Sequence, residues 1–454
     1  MSEIATPVGG MTDAELGALL AEYRETIRKE WLRLRWVQKH IDGRVVDTWM
    51  PKNADLEYKD LLRKAATPWL RYARDAKAQG LVVDGFSDDA IWRDAWQVNG
   101  MDGRQVMTNR EVVGLGRSFG LSLPDGDGGV LMRPLSALRT WAYFADPWDE
   151  YPQWAIHRVS QSGADPMNGS WLFVDATHVY RFTGSMSTPR DTVVSLHDLG
   201  FCPVVMLQGL LDDDGQAGGS IEPGIPVWKR IVDYTFALSM IMRYGAFPQK
   251  WMAGGDIAED ENGNPLVNAS VDSLLHASGA SGDTARFGSF PAASVADVVA
   301  GLEAAKADLS AVLQIPPHYF MAKVINMSAE GIEAAESAYF RDLAERRTCL
   351  GEGYELWLRT AAAVLRRRDV ASDTTVEMHW LEQRNRSLGQ IADAVVKLKT
   401  VDAPDELLFA LIPGWTKQDV MEATTAAAEA RAAKEATATA AGNAGEIDGF
   451  TEEP

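Results

Sequence analysis

The sequence predicts an α+β fold whose second half is mainly helical. Three observations carry this reading. Helix-period and strand-period apolar patterns alternate between residues 68 and 211, a helix near 226–244 is apolar nearly all round, and an amphipathic helix stopped by Pro316-Pro317 precedes one of unusual length.

Taken in order, residues 13–40 read as an amphipathic helix with Leu16, Leu19, Leu20, Tyr23, Ile27, Trp31 and Leu34 on one face. Its basic stretch, 28–39, lies on a helix that also carries Glu22, Glu25 and Glu30, which marks a solvated face rather than a nucleic-acid patch. A helix over 69–78, a short strand over 81–83, and helices over 91–99 and 106–115 follow. Short strands separated by acidic glycine turns such as 125–129 come next. Residues 154–211 are mostly strand, with 171–174, 178–182 and 203–207 the clearest.

A second regime begins at Gly218. The helix over 226–244 carries Val227, Trp228, Ile231, Val232, Phe236, Leu238, Met240, Ile241 and Met242, so it must be buried on several sides, by its own chain or by neighbours. Residues 247–291 are rich in Gly, Ser and Asp, with strand-like pieces at 250–252 and 266–267; a small excursion domain bracketed by two helices is the economical reading. In the second of those helices Val295, Val298, Val299, Leu302, Ala305, Leu309 and Leu313 form one stripe. Pro316 and Pro317 supply no amide hydrogen and end it.

After an irregular segment, 319–327, Ser328 is the expected N-cap of the long helix, with Glu330 and Glu333 in its first turns. Ile332, Ala335, Tyr339, Leu343, Leu350, Tyr354, Trp357, Ala361 and Leu365 hold its stripe, and Arg366, Arg367 and Arg368 sit at the end that favours cations. Such a helix would run roughly 60 Å, longer than one compact domain needs. A strand over 375–380 and helices over 387–399 and 416–434 follow, and 436–454 is expected to be disordered on composition.

With 454 residues the chain has room for about two to four domains. Its net charge of −20, from 64 acids against 44 bases, argues against a sequence-reading nucleic-acid binder. Two cysteines far apart and in no CxxC pairing, Cys202 and Cys349, argue against a disulfide framework or a zinc site. Residues 1–10 lack the regions of a signal peptide, and no apolar run approaches the roughly 20 residues of a membrane span. A cytosolic origin is the expectation.

Catalytic signals are weak. Gly116-Arg-Ser118-Phe-Gly120 matches G-x-S-x-G, but a nucleophile elbow needs strand, turn, helix, and here a helix precedes and a strand follows. A helix C-cap turning into a strand is the competing reading. Gly114 and Gly116 suggest a dinucleotide loop whose third glycine falls one position late and which no strand precedes. No P-loop lysine exists. The seven histidines show no ligand spacing, and the acidic runs 212–214 and 256–261 read as solvated turns; neither a metal nor a cofactor is expected.

With catalysis set aside, the order of parts resembles a known family. The carrying phrases are Pro68-Trp69-Leu70, Gly85-Phe86, Ile91 to Met101, Ala145-Asp146-Pro147, Leu199 to Val205, and Gly219-Ser220 before the apolar helix. Ala246-Phe247-Pro248, Ile315-Pro316-Pro317, Ser328 to Glu336, a strand ending at Trp380 and a helix opening at Thr416 complete the set. Spread over roughly 55–430, they resemble the portal proteins of tailed bacteriophages, in the SPP1-type branch.

The resemblance implies an N-terminal helical arm (1–50), an α+β wing (51–223), a first stem helix (224–246), a clip (247–290) and a second stem helix (291–315). A tunnel loop (316–327), the long wing helix with a return strand (328–382), a helical crown (383–435) and a tail (436–454) would follow. It implies no enzyme. It implies a dodecameric ring at a capsid vertex of the virion, assembled in the host cytoplasm, that passes double-stranded DNA during packaging and ejection. Partners would be the terminase large subunit, the head–tail adaptor, and the major capsid and scaffolding proteins, with no membrane. Lys323 and Asn326 would touch DNA sparsely and Val324, Ile325 and Met327 would line the channel, unless these residues pack within the subunit. Trp228, Ile231, Val232, Phe236, Val298, Leu302 and Leu309 would pack neighbouring stems. The alternatives are another head or tail connector, and a serine hydrolase using Ser118.

Overall fold

The computed structural model describes residues 9–44, 56–211, 217–245, 250–253, 286–289, 295–320, 329–381, 388–401, 403–412 and 415–447. In chain order the elements are α1 (Asp13–Ile41), α2 (Leu56–Ala65), α3 (Trp69–Gln79), β1 (Val83–Phe86), α4 (Asp89–Ile91), which runs on as a π-helical turn over Trp92–Gln97, and α5 (Met101–Leu115). Strands β2 (Arg117–Pro124), β3 (Val130–Leu135), β4 (Thr140–Tyr143), β5 (Trp154–Gln161), β6 (Asn168–Val174), β7 (His178–Ser185), β8 (Thr188–Leu196) and β9 (Val204–Gln208) follow. Then come α6 (Ile225–Gly245), β10 (Lys250–Ala253), β11 (Arg286–Ser289), α7 (Val295–Val312), α8 (Ala329–Val364), α9 (Arg368–Ser372), β12 (Met378–Trp380), α10 (Leu388–Lys399), α11 (Asp405–Phe409) and α12 (Lys417–Ile447). The fold mixes helix and sheet, as the α+β reading expects.

The chain divides into two units, the first made of Met1–Val37, Arg74–Ser220 and Phe340–Pro454. Helix α1 starts at a capping box: Thr12 N–H donates to Glu15 Oε2 at 2.8 Å, and Glu15 N–H donates to Thr12 Oγ1 at 3.4 Å. Its stripe covers an antiparallel sheet ordered β4-β5-β6-β7-β8. Leu16, Leu20, Ile27 and Trp31 meet Ile156, Trp171, Phe173, Tyr180 and Phe182, the inward positions of strands with period two. Trp31 and Trp171 stack with ring centroids 6.0 Å apart.

The same unit holds a second sheet, β3-β2-β9, and a two-stranded β1-β12 pair. Strand β1 lies slightly later than its sequence pattern suggests and takes in Gly85-Phe86. Its place is set by pairing with β12, nearly 300 residues on, where Phe86 faces Met378. In α8, Tyr354, Trp357 and Ala361 are buried as the stripe requires. Tyr354 donates its hydroxyl hydrogen to Asn109 Oδ1 at 2.7 Å, and Asn109 Nδ2 donates to Leu81 O. Helix α8 stops at Val364, earlier than expected. Arg366 takes a left-handed φ of 61°, so the three arginines fall beyond the helix end, and Arg367 instead donates to Asp94 at 2.6 Å. Residues 436–447, expected to be disordered, continue α12 as helix; alanine's propensity outweighs the Gly and Thr there.

The second unit comprises Gln38–Ala73 and Ile221–Tyr339. Helix α6 packs against α2 and α7, and β10 and β11 form an antiparallel pair, Lys250 opposite Ser289. The remaining residues of the expected clip, 246–249, 254–285 and 290, lie outside the described residues. Helix α7 ends before the prolines: Gln314 is left-handed at φ 50°, and Ile315 N–H reaches back to Ser310 O at 3.0 Å. The prolines follow an ending that backbone geometry has already made.

One polar cluster is buried in the first unit. Lys77 Nζ lies 2.9 Å from Asp342 Oδ2, and Arg346 grips both oxygens of the same carboxylate at 2.8 and 2.9 Å. Burial, then the Arg346 charge, pulls the Lys77 ammonium down to about 8. Burial opposes ionisation of Asp342, yet the Arg346 hydrogen bonds and Lys77 hold its carboxyl below the usual value. Between pH 8 and the ordinary lysine value of 10.5 the folded chain therefore binds fewer protons at Lys77 than the unfolded chain. The charged form's penalty is complete below pH 8 and is relieved as pH rises. Lys77→Met leaves Asp342 paired with Arg346; urea melts should show the stability of wild type minus variant rising from pH 8 to 10, and a flat difference would sink this account.

Candidate functional site

The α6–α7 pair and the segment leaving α7 are where the sequence expects function, and both fall in the second unit. One face of helix α6 is buried at its start and loses cover toward its end. Ile225, Trp228, Ile231 and Val232 are at most 2% exposed, Phe236 is half-buried, and Met242 is 62% exposed. The cover at the start comes from the chain itself. Trp228 Nε1–H donates to Thr67 O at 2.8 Å, and the ring meets His40 edge-on at 5.8 Å. Gly224 lets α7 close in, since a Cβ there would lie 2.8 Å from Leu313 Cδ2.

Helix α7 runs the opposite gradient along the chain. Val295 is exposed, Val298 and Leu302 are half-buried, and Ala305, Leu309 and Leu313 are buried. At Gly301 a Cβ would lie 3.2 Å from the Tyr234 ring, so the helices pass closely there. Arg230 and Asp308 bridge the pair at 2.6 Å on an exposed flank, a contact that contributes at most about 1 kcal/mol. Of the residues expected to pack between subunits, Trp228, Ile231, Val232 and Leu309 are thus enclosed by their own unit, while Phe236, Val298 and Leu302 keep partial exposure.

Beyond α7, Pro317–Tyr319 forms a 3₁₀ turn. Phe320 is buried, edge-on to Trp69 at 5.9 Å and to Tyr72 at 6.0 Å, and Tyr319 meets Tyr339 at 6.0 Å. His318 Nε2 lies 3.4 Å from Glu336. This aromatic clasp holds Tyr319 and Phe320, the last described residues after α7. Lys323, Val324, Ile325, Asn326 and Met327 lie outside the described residues, as does the expected cap Ser328.

The competing chemistry finds no support in the geometry. Ser118 is not in a turn but inside β2, fully buried, with its hydroxyl 3.1 Å from Glu111 Oε2 and 3.3 Å from Leu135 O. Burial pushes the Glu111 carboxyl up, against hydrogen bonds from Ser136, Ala137 N–H and Ser118. Gly116 caps α5 at φ 89°, where a Cβ would lie 2.7 Å from Ala217 O, so a turn and close packing account for this glycine. Among the described residues no three metal-ligating side chains converge, and no helix is long and apolar enough to cross a membrane. The acidic runs 212–214 and 256–261 lie outside the described residues. Burial pushes the Cys202 thiol up, away from reactivity.

No protein-family model matches the sequence. Two curated proteins do: the portal protein of Mycobacterium phage D29, 26% identical over 350 residues covering 71% of this chain and 70% of that protein, and the portal protein of Mycobacterium phage L5, 26% identical over 381 residues covering 75% and 74%. Among solved structures, a chain from the neck of a native gene transfer agent particle, computed with C12 symmetry, aligns at TM-score 0.47 and 12% identity over 84% of this chain and 100% of its own. An HK97 family phage portal protein from Corynebacterium diphtheriae aligns at TM-score 0.33 and 11% identity over 73% and 96%.

Because Leu309 is enclosed by its own unit, Leu309→Ala should destabilise the isolated chain by about 2–5 kcal/mol. Denaturation under conditions that keep the protein monomeric would measure this. An unchanged midpoint would mean that Leu309 is covered only on assembly.

Proposed function

We propose that this chain is a portal subunit of a tailed bacteriophage, of the SPP1-type branch its sequence phrases resemble. The observation that carries the reading is the alignment, across about three quarters of the chain, with two mycobacteriophage proteins named portal protein. In this reading twelve copies form a ring at one capsid vertex of the virion, assembled in the host cytoplasm. Double-stranded DNA passes through the ring in packaging and ejection, and the ring docks the terminase large subunit and later the head–tail adaptor, with capsid and scaffolding proteins around it. The chain itself is not an enzyme; ATP hydrolysis is the terminase's.

The parts map as a wing over 51–223, stem helices at α6 and α7, a clip over 247–290, a tunnel loop over 316–327, the wing-crossing helix α8 with its return strand, and a crown over 383–435. The gradient along the stem pair sharpens which residues meet a neighbour. The enclosed ends hold each subunit together. The uncovered ends, with Phe236, Met242, Val295, Val298 and Leu302, supply apolar surface for the next copy, which a ring covers without leaving an edge. A charge of −20 suits a conduit, because every lysine or arginine contact with phosphate adds attraction that resists sliding. Lys323 and Asn326 are the sparse polar contacts, and Val324, Ile325 and Met327 the apolar lining.

Electron microscopy of the purified full chain is the decisive measurement. Rings with a central hole are expected, and a monomer that cannot be driven to assemble would remove the reading's physical basis. Met242→Glu should lower ring yield while leaving the monomer's denaturation midpoint unchanged. Lys323→Ala should alter packaging or DNA retention with rings intact; rings that fail instead would place Lys323 in subunit packing and not in the channel.

A further inference from the structure

The first unit contains a local excess of positive charge that the portal reading does not use. A recess of about 460 Å³ opens between α1 and the end of the five-stranded sheet where β4 and β5 meet, and Arg35, Arg139, Arg158, Ser160 and Gln161 line it. Its walls are set by backbone geometry. Arg158 N–H donates to Arg139 O at 2.8 Å, one step beyond the Thr140–His157 pair, so these arginines lie side by side on adjacent strands. A bulge follows at once, since Arg158 faces Trp171 but Ser160 faces Ser170, leaving Val159 unpaired between them. Gly169 is required opposite it, because a Cβ there would lie 1.9 Å from Ser160 O.

Arg158 is held in place. It is 3% exposed, its guanidinium carbon lies 5.1 Å from the Trp31 ring centroid, and it donates to Pro166 O at 2.5 Å. Arg35 is half-buried on α1 and Arg139 is exposed. Several arginines near the same sheet are matched by carboxylates: Arg24 with Asp165, Arg33 and Arg117 with Glu30. Among the described residues, none of the three recess arginines sits in a salt bridge. Burial, and then the Arg35 and Arg139 charges, pull the Arg158 guanidinium down to about 10. Burial, Arg139 and Arg158 likewise pull His157 down to about 4. Arg139 does influence Glu111, but that carboxylate is itself buried and already takes hydrogen bonds from Ser136, Ser118 and Ala137 N–H.

We propose that this recess binds a phosphate-bearing ligand, with Arg35, Arg139 and Arg158 taking its oxyanions and Ser160 and Gln161 supplying further donors. Three guanidinium forks present more N–H groups than one carboxylate can accept, whereas a phosphate offers three or more oxygens at higher charge. The ligand is a free phosphate or the phosphodiester of a nucleic acid, and the proposal stands whether or not the chain is a portal subunit.

The test uses the full chain, wild type and Arg35→Gln/Arg139→Gln, both positions being solvent-accessible. Titration calorimetry at low salt would compare inorganic phosphate, a short DNA duplex, and acetate. Wild type should bind phosphate or duplex, and the double variant should lose about tenfold or more in affinity while its ligand-free melting temperature stays level or rises as repulsion is relieved. Saturation by inorganic phosphate alone assigns a free phosphate. Duplex binding whose salt dependence flattens in the variant assigns a nucleic-acid backbone. Equal binding by wild type and variant, acetate binding as tight as phosphate, or no binding at millimolar phosphate and duplex would each overturn the proposal.

Discussion

The close seating of Trp357 on Gly120 is the contact on which the first unit depends. A Cβ at residue 120 would lie 2.3 Å from the indole, so only glycine lets α8 lie flat on β2. The consequences spread from there. Four residues before, Gly353 meets Leu207 of β9 with similar closeness, and Tyr354 reaches Asn109 of α5. One stretch of one helix thus clamps two strands and a helix that lie more than 140 residues away in sequence. Loop-closure entropy opposes such non-local contacts, and a continuous buried face with large aromatic side chains is what offsets it.

This division between local and non-local forces explains what the sequence made legible. Helices α1, α6, α7 and α8 were readable because a 3.6-residue apolar stripe is a local signal, and Tyr339, Leu343, Leu350, Tyr354, Trp357 and Ala361 are buried where the stripe places them. Helix ends were less readable. Gln314 and Arg366 close α7 and α8 in the left-handed region, which favours glycine and which their side chains do not announce. Strand β8 falls in the stretch read as mostly strand but could not be singled out: an edge strand with mostly exposed residues on both faces carries no alternation, and only its pairing with β7 defines it.

The stem pair shows the same limit at the candidate site. An all-round apolar helix implied cover on several sides but could not say whose. The sequence reading did not foresee α2, whose Leu61, Leu62 and Ala65 are buried in the second unit, where α2 packs on α6. For Trp228, Ile231, Val232 and Leu309, cover expected from neighbouring subunits is therefore supplied within the second unit. The Ser118 motif failed for a simpler reason. A nucleophile must be presented on a turn, and Gly116 places the turn two residues too early, leaving the serine within a ladder.

Charge ties the two halves of the problem together. In a chain of net charge −20, a local positive excess sits in a favourable long-range field, so it costs less than it would in a neutral protein. Two clusters of cations among the described residues of the first unit differ in kind. Lys77 and Arg346 share one carboxylate in a closed interior, where removing Asp342 would leave two buried cations unmatched, so that cluster answers to folding. Arg35, Arg139 and Arg158 face an open recess with no carboxylate among them, and a bulge and a required glycine shape its wall. Packing on Trp31 accounts for Arg158, but folding alone gives no reason to set Arg35 and Arg139 beside it, since moving those two away would lower the repulsion at little cost in buried area. An incoming anion gives that reason.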